Sequence, residues 1–82
     1  MKLTIEKRHY APGMDTVRIG GFADGELNEL KSMEHNEARE KLVEMLDNRN
    51  GNQGTCWAQG YGIYGVWFDN EYAYMNVGDS CD

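Results

Sequence analysis

Residues 61–77, YGIYGVWFDNEYAYMNV, decide the fold. Two runs rich in β-branched and aromatic residues, Tyr61–Phe68 and Glu71–Val77, flank the turn formers Asp69-Asn70, so the stretch reads as an antiparallel hairpin. With Asp69 and Asn70 as a two-residue turn, Phe68 stands opposite Glu71 and Trp67 opposite Tyr72. Side chains alternate along a strand, and opposed residues share a face. One face then carries Tyr64, Val66, Phe68, Ala73, Met75 and Val77; the other carries Tyr61, Ile63, Gly65, Trp67, Tyr72, Tyr74 and Asn76. The first set is aliphatic-rich and belongs under a helix. The second is a surface of amphipathic rings around a glycine, and a slip of one residue would exchange the two.

The covering helix lies just upstream. From Met33 to Asn48 there is no Gly or Pro, and strong helix formers dominate. Ser32 can cap its start. Ala38, Leu42, Met45, Leu46 and Arg49 fall at i, i+4, i+7, i+8 and i+11, one continuous stripe. Asn48-Arg49-Asn50-Gly51 ends it, with Gly51 suited to the left-handed conformation, and Gly51–Gly54 follows as a loop.

Further upstream, Leu3 and Ile5 alternate with Lys2, Thr4 and Glu6, and Val17 and Ile19 alternate with Thr16 and Arg18. Ala11-Pro12-Gly13-Met14-Asp15 between them is a turn signal, giving a first hairpin. Asp24-Gly25 suggests another turn leading to a short third strand over Leu27–Lys31. The rival is a helix from Glu26, because Leu27 and Leu30 also fit helical spacing. The expectation is a single α+β domain over residues 1–82, in the order β-β-(β)-α-β-β. Its antiparallel sheet has four to five strands, with one main helix on one face. One helix of about 16 residues covers only one face of a sheet, so the Trp67 face stays open. Exposed Trp and Tyr patches mark interaction sites.

Composition narrows the function. The chain has a net charge of −6, and the last 33 residues hold seven of the nine aromatics and none of the eight Lys and Arg. Such a segment does not suit a phosphate backbone. The balance favours a protein partner with a basic surface over direct nucleic-acid or membrane binding. Along the helix, Glu37, Glu40, Glu44 and Asp47 fall within about 80° of arc, nearly opposite the apolar stripe. That row can imitate phosphates or engage a Lys/Arg groove, although Lys41 beside it also makes ordinary surface pairs.

Catalytic chemistry finds no signature. His9, His35, Cys56 and Cys81 have no metal-ligand spacing, and Cys56 or Ser32 with His35 makes no recognisable catalytic set. Gly60-x-Gly62-x-x-Gly65 lies inside an expected strand instead of opening a helix, so it fails as a dinucleotide fingerprint. The expectation is no enzyme, no metal and no cofactor. The two cysteines are expected as reduced thiols, with a cross-hairpin disulfide as the alternative. No apolar run approaches a membrane span, and MKLTIEKRHY does not look like a signal peptide, so a soluble, cytoplasmic protein is expected.

In size, acidity and lack of catalytic motifs the chain resembles small inhibitors encoded by phages and mobile elements, including anti-CRISPR proteins. The residues behind the resemblance are the helix row Glu37, Glu40, Glu44 and Asp47 and the acidic tail Asp79–Asp82. It spans the whole chain but rests on no motif, so no functional residues carry over. It implies occlusion of a CRISPR effector's nucleic-acid groove without turnover. The candidate partner-binding residues are Tyr61, Ile63, Trp67, Tyr72 and Tyr74 together with the acidic row. The alternatives are a homodimeric structural subunit joined through the aromatic face, and a binder of sugars or planar rings using Trp57, Trp67 and the tyrosines.

Overall fold

A computed structural model of the chain describes residues 2–59 and 62–78. Two hairpins enclose a run of helices. β1 (Thr4–Ala11) and β2 (Met14–Gly20) come first, then α1 (Glu26–Ser32), α2 (His35–Asn50) and α3 (Gln53–Gln59), then β3 (Ile63–Phe68) and β4 (Ala73–Gly78). The four strands form one antiparallel sheet in the order β1-β2-β4-β3. The expected α+β class holds. The two hairpins meet at their second strands, so β2 and β4 are central and bury alternate residues: Val17 and Ile19 on one, Ala73, Met75 and Val77 on the other.

Those side chains share one core with Leu30 of α1, Leu42, Met45 and Leu46 of α2, Trp57 of α3, and Leu3 and Val66. The helices therefore cover one face of the sheet. α2 uses the stripe read from the sequence, with Ala38, Leu42, Met45 and Leu46 buried. Gly51 ends it in the left-handed conformation at φ 66°, as expected.

Three expectations about the middle of the chain are corrected. Leu27–Lys31 is part of helix α1, not a strand. Its Leu30 reaches the core, and the Arg49 guanidinium forks onto the Glu26 carboxylate, with Nη1 3.0 Å from Oε1 and Nη2 bonded to Oε2. This pair, helped by the Ala23 N–H, holds the Glu26 carboxyl down to about 2. Ser32 does not cap α2; it closes α1, its hydroxyl donating to the Glu29 carbonyl at 2.7 Å. Glu34 caps α2 instead, accepting from the N–H groups of Asn36 at 3.1 Å and Glu37 at 3.4 Å.

The third correction is α3, which opens within the expected loop. Asp47 accepts from Thr55 N at 2.7 Å and from the Thr55 hydroxyl, holding the first turn of α3 against α2. Gly54 permits that approach, because a Cβ there would stand 2.5 Å from the Val43 carbonyl oxygen. The helix exists to bury Trp57, which is 2% exposed. Cys56 beside it is disulfide-bonded instead of a free thiol, and Cys81 lies outside the described residues.

The last hairpin differs from its expected register by two residues. Trp67 pairs with Tyr74, Val66 with Met75 and Phe68 with Ala73. Asp69 widens the turn: its Oδ1 accepts from Glu71 N at 2.8 Å and Tyr72 N at 2.7 Å, and its N–H donates to the Tyr72 carbonyl at 3.0 Å. Because the side-chain period is two, this shift leaves both faces unchanged. A bulge between Ile63 and Gly65 does change them locally. Ile63 pairs with Val77 and packs on the core, while Tyr64 is 59% exposed. Ile63 and Tyr64 thus hold the reverse of their expected places.

Candidate functional site

The sheet face opposite the helices is built from both hairpins. Across it, Glu6, Arg18, Tyr74 and Trp67 form one row, one residue from each strand. Beside that row run Arg8, Thr16, Asn76 and Gly65. The rings are locked together. Trp67 and Tyr74 stack with centroids 5.5 Å apart and planes 5° from parallel, and Tyr72 meets Tyr74 edge-on at 6.4 Å. The Arg18 guanidinium lies 4.3 Å from the centroid of the Tyr72 ring. Tyr72 also lies against Gly20, where a Cβ would stand 2.9 Å from its Cε1.

Polar groups fix this arrangement. Arg18 bonds to Glu6, which raises its pKa further above the ordinary guanidinium value. The Tyr74 hydroxyl donates to Asp69 Oδ2 at 2.5 Å. That bond, with the two N–H donors of the turn, lowers the Asp69 pKa and raises that of Tyr74. A hydrogen bond with Glu71 raises the Tyr72 pKa. The Thr16 hydroxyl donates to Asn76 Oδ1 at 2.8 Å. Even so, Trp67 remains 43% exposed. The result is a pre-organised platform of Trp, Tyr and Arg that no helix covers among the described residues.

Of the expected site residues, the structure brings Trp67, Tyr72 and Tyr74 together on this platform. Tyr61 lies outside the described residues, and Ile63 belongs to the core side. Glu37, Glu40 and Glu44 are exposed on the outward side of α2, where Glu44 pairs with Lys41 at 3.3 Å. Asp47 leaves that row to hold α3. The aromatic face and the acidic row point in opposite directions, so one flat partner surface cannot engage both. Trp57 is in the core and unavailable for ring stacking on a ligand.

Sequence reasoning missed Glu6, Arg8, Thr16 and Arg18 as members of the face. Their signal was the polar half of the alternation in the first hairpin. The last hairpin carries no Lys or Arg of its own, but the assembled face is not cation-free, because β2 sets Arg18 beside its rings. Two hollows open on this face. One of about 260 Å³ is lined by Glu6, Arg8, Thr16, Arg18 and Tyr74, and one of about 360 Å³ by Arg18, Asp69, Asn70, Glu71, Tyr72 and Tyr74.

On the other side of the molecule, a hollow of about 420 Å³ lies between α2, α3 and the start of β3, lined by Arg39, Glu40, Val43, Ala58, Gly62 and Ile63. Buried Asp15 stands 3.7 Å from His9 Nδ1, beyond hydrogen-bond length. Among the described residues, no group of three or more His, Cys, Asp and Glu could hold a metal ion, and no helix is long and apolar enough to cross a membrane. No protein-family model, curated protein or solved structure matches this chain.

Proposed function

We propose that this chain is a small, non-enzymatic binding protein that docks on another protein through the open face of its sheet and occludes that surface. One observation carries the reading: Trp67, Tyr72, Tyr74 and Arg18 sit uncovered and mutually fixed on the side away from the helices. Trp, Tyr and Arg are the residue types that dominate interface energetics. Rings already stacked and hydrogen-bonded lose little side-chain freedom on binding, which removes part of the cost of association.

The finer proposal is an inhibitor of the anti-CRISPR type, acting on a protein that handles nucleic acid. The net charge of −6 and the outward row Glu37, Glu40 and Glu44 support it. Docked by its sheet, the chain presents that row to solvent, where it repels an approaching phosphate backbone. Occlusion and repulsion then come from opposite faces of one molecule.

The test is photo-crosslinking in cells from position 67 and, separately, from position 37, followed by reconstitution of the identified complex from purified components. The partner should crosslink from position 67, and the double variant Trp67→Ala, Tyr74→Ala should weaken the purified complex by about a hundredfold. Crosslinking from position 37 alone, or unchanged affinity of the double variant, would overturn sheet docking. A crosslink from position 67 to a second copy of the chain, with a dimer in light scattering, would replace the inhibitor with the homodimeric reading.

A further inference from the structure

The hollow of about 260 Å³ on the open face differs chemically from the aromatic platform beside it. Two arginines, Arg8 and Arg18, line it with one carboxylate, Glu6, so it carries one uncompensated positive charge in a chain of net charge −6. The arginines are not equivalent. Arg18 is committed to Glu6 and to the Tyr72 ring. Arg8 is exposed and forms no ion pair with any described residue. It stands opposite Thr16, and the Thr16 hydroxyl is spent on the Asn76 carbonyl oxygen, which leaves the Asn76 amide N–H groups as donors on the same row. Gly65, which ends this row beside Asn76, has no side chain, so no side chain rises from the sheet at that position next to Trp67.

We infer that this hollow is an anchor for one carboxylate of the docked partner, presented on an extended segment lying across the strands. The inference rests on sheet docking and adds to it the chemistry of the contact. A free guanidinium is a planar fork that receives both oxygens of a carboxylate. The Arg8 fork binds the carboxylate, Asn76 offers donors to the flanking segment farther along the same row, two strands away on β4, and that segment packs along the Tyr74 and Trp67 rings. Glu6 limits the site to a single negative charge, since a second would meet repulsion. A nucleic-acid strand fits less well: its successive phosphates need several unpaired cations, and among the residues lining this hollow only Arg8 has no ion partner.

The test is ¹H–¹⁵N NMR titration of the intact chain with three probes. These are a blocked alanyl-glutamyl-alanine tripeptide, its glutaminyl counterpart, and a short oligothymidylate. The glutamyl peptide should shift the Arg8, Thr16 and Asn76 resonances and the Trp67 indole at about millimolar concentration, while the glutaminyl peptide should not. Arg8→Gln should weaken the glutamyl response about tenfold. Equal responses to the two peptides, no response at these residues, or a stronger response to oligothymidylate would overturn the assignment. The two readings fail separately. If Arg8→Gln left the glutamyl response unchanged while Trp67→Ala, Tyr74→Ala still disrupted the purified complex, the anchor would fall and sheet docking would stand.

Discussion

The first and last hairpins are built to the same plan and contribute opposite chemistry. Each has an edge strand and a central strand, and each carries one bulge whose extra residue is a tyrosine turned to solvent: Tyr10, 65% exposed, and Tyr64, 59% exposed. On the open face, β1–β2 supplies Glu6, Arg8, Thr16 and Arg18, and β3–β4 supplies rings. Their turns also differ. Pro12-Gly13 turns the first through backbone preference, with Gly13 at φ 78°. Asp69 turns the last through an ionised carboxylate that also holds Tyr74. Neither half is a site alone: the rings need Arg18 to cover Tyr72, and Arg18 needs a ring to lie on.

The largest effect tests whether the hairpins share one foundation. Trp57→Ala removes the buried ring of α3 and should cost about 3–5 kcal/mol, a large part of the stability of a domain this small. Denaturant unfolding should show the loss, and amide exchange should show both hairpins losing protection together. Loss confined to β3–β4 would mean the two are only loosely coupled.

A smaller effect tests the bulge. Ile63→Ala should cost about 1–2 kcal/mol because the side chain packs on the core, and Tyr64→Ala should stay within about 0.5 kcal/mol as an exposed substitution. Reversed costs would restore the unbulged alternation.

The smallest effect separates the two turns by pH. The Asp69 pKa is lowered on folding, so its contribution is present above the ordinary carboxylate pKa and is lost as pH falls through the folded value. Acidification below about pH 4 should therefore loosen the Glu71 and Tyr72 amides while those around Pro12-Gly13 hold. Asp69→Asn should remove this acid-dependent loosening, as read by exchange corrected for its intrinsic pH dependence. Simultaneous loosening of both turns in the wild-type chain would show that the carboxylate does not govern the last one.

Much of the fold was legible where local chemistry and global packing agree. Pro12-Gly13, the stripe Ala38, Leu42, Met45 and Leu46, and the left-handed Gly51 each point one way. Even the misjudged turn at Asp69 did little harm, since a two-residue shift keeps Val66 and Met75 inward and Trp67 and Tyr74 outward. Helix α3 was illegible because Gly54 and Thr55 are poor helix formers; the Asp47 contacts and the burial of Trp57 override that preference. The bulge at Tyr64 was illegible because alternation alone gives no reason to interrupt itself.

By itself, the sequence determined which residues share a face from Val66 to Phe68 and from Ala73 to Val77, since the strand period is local, but not at the bulge, where Ile63 and Tyr64 exchange places. It also determined that the exposed sheet surface carries Trp and Tyr, and that the helices carry an outward acidic row. Only the tertiary structure decided that β2 lies beside β4. Strand neighbours are chosen by the summed packing of the whole core, and no local pattern encodes that choice. It placed Arg18 over Tyr72, left Arg8 with no ion partner among the described residues at the edge of the same face, and set the acidic row on the opposite side of the molecule.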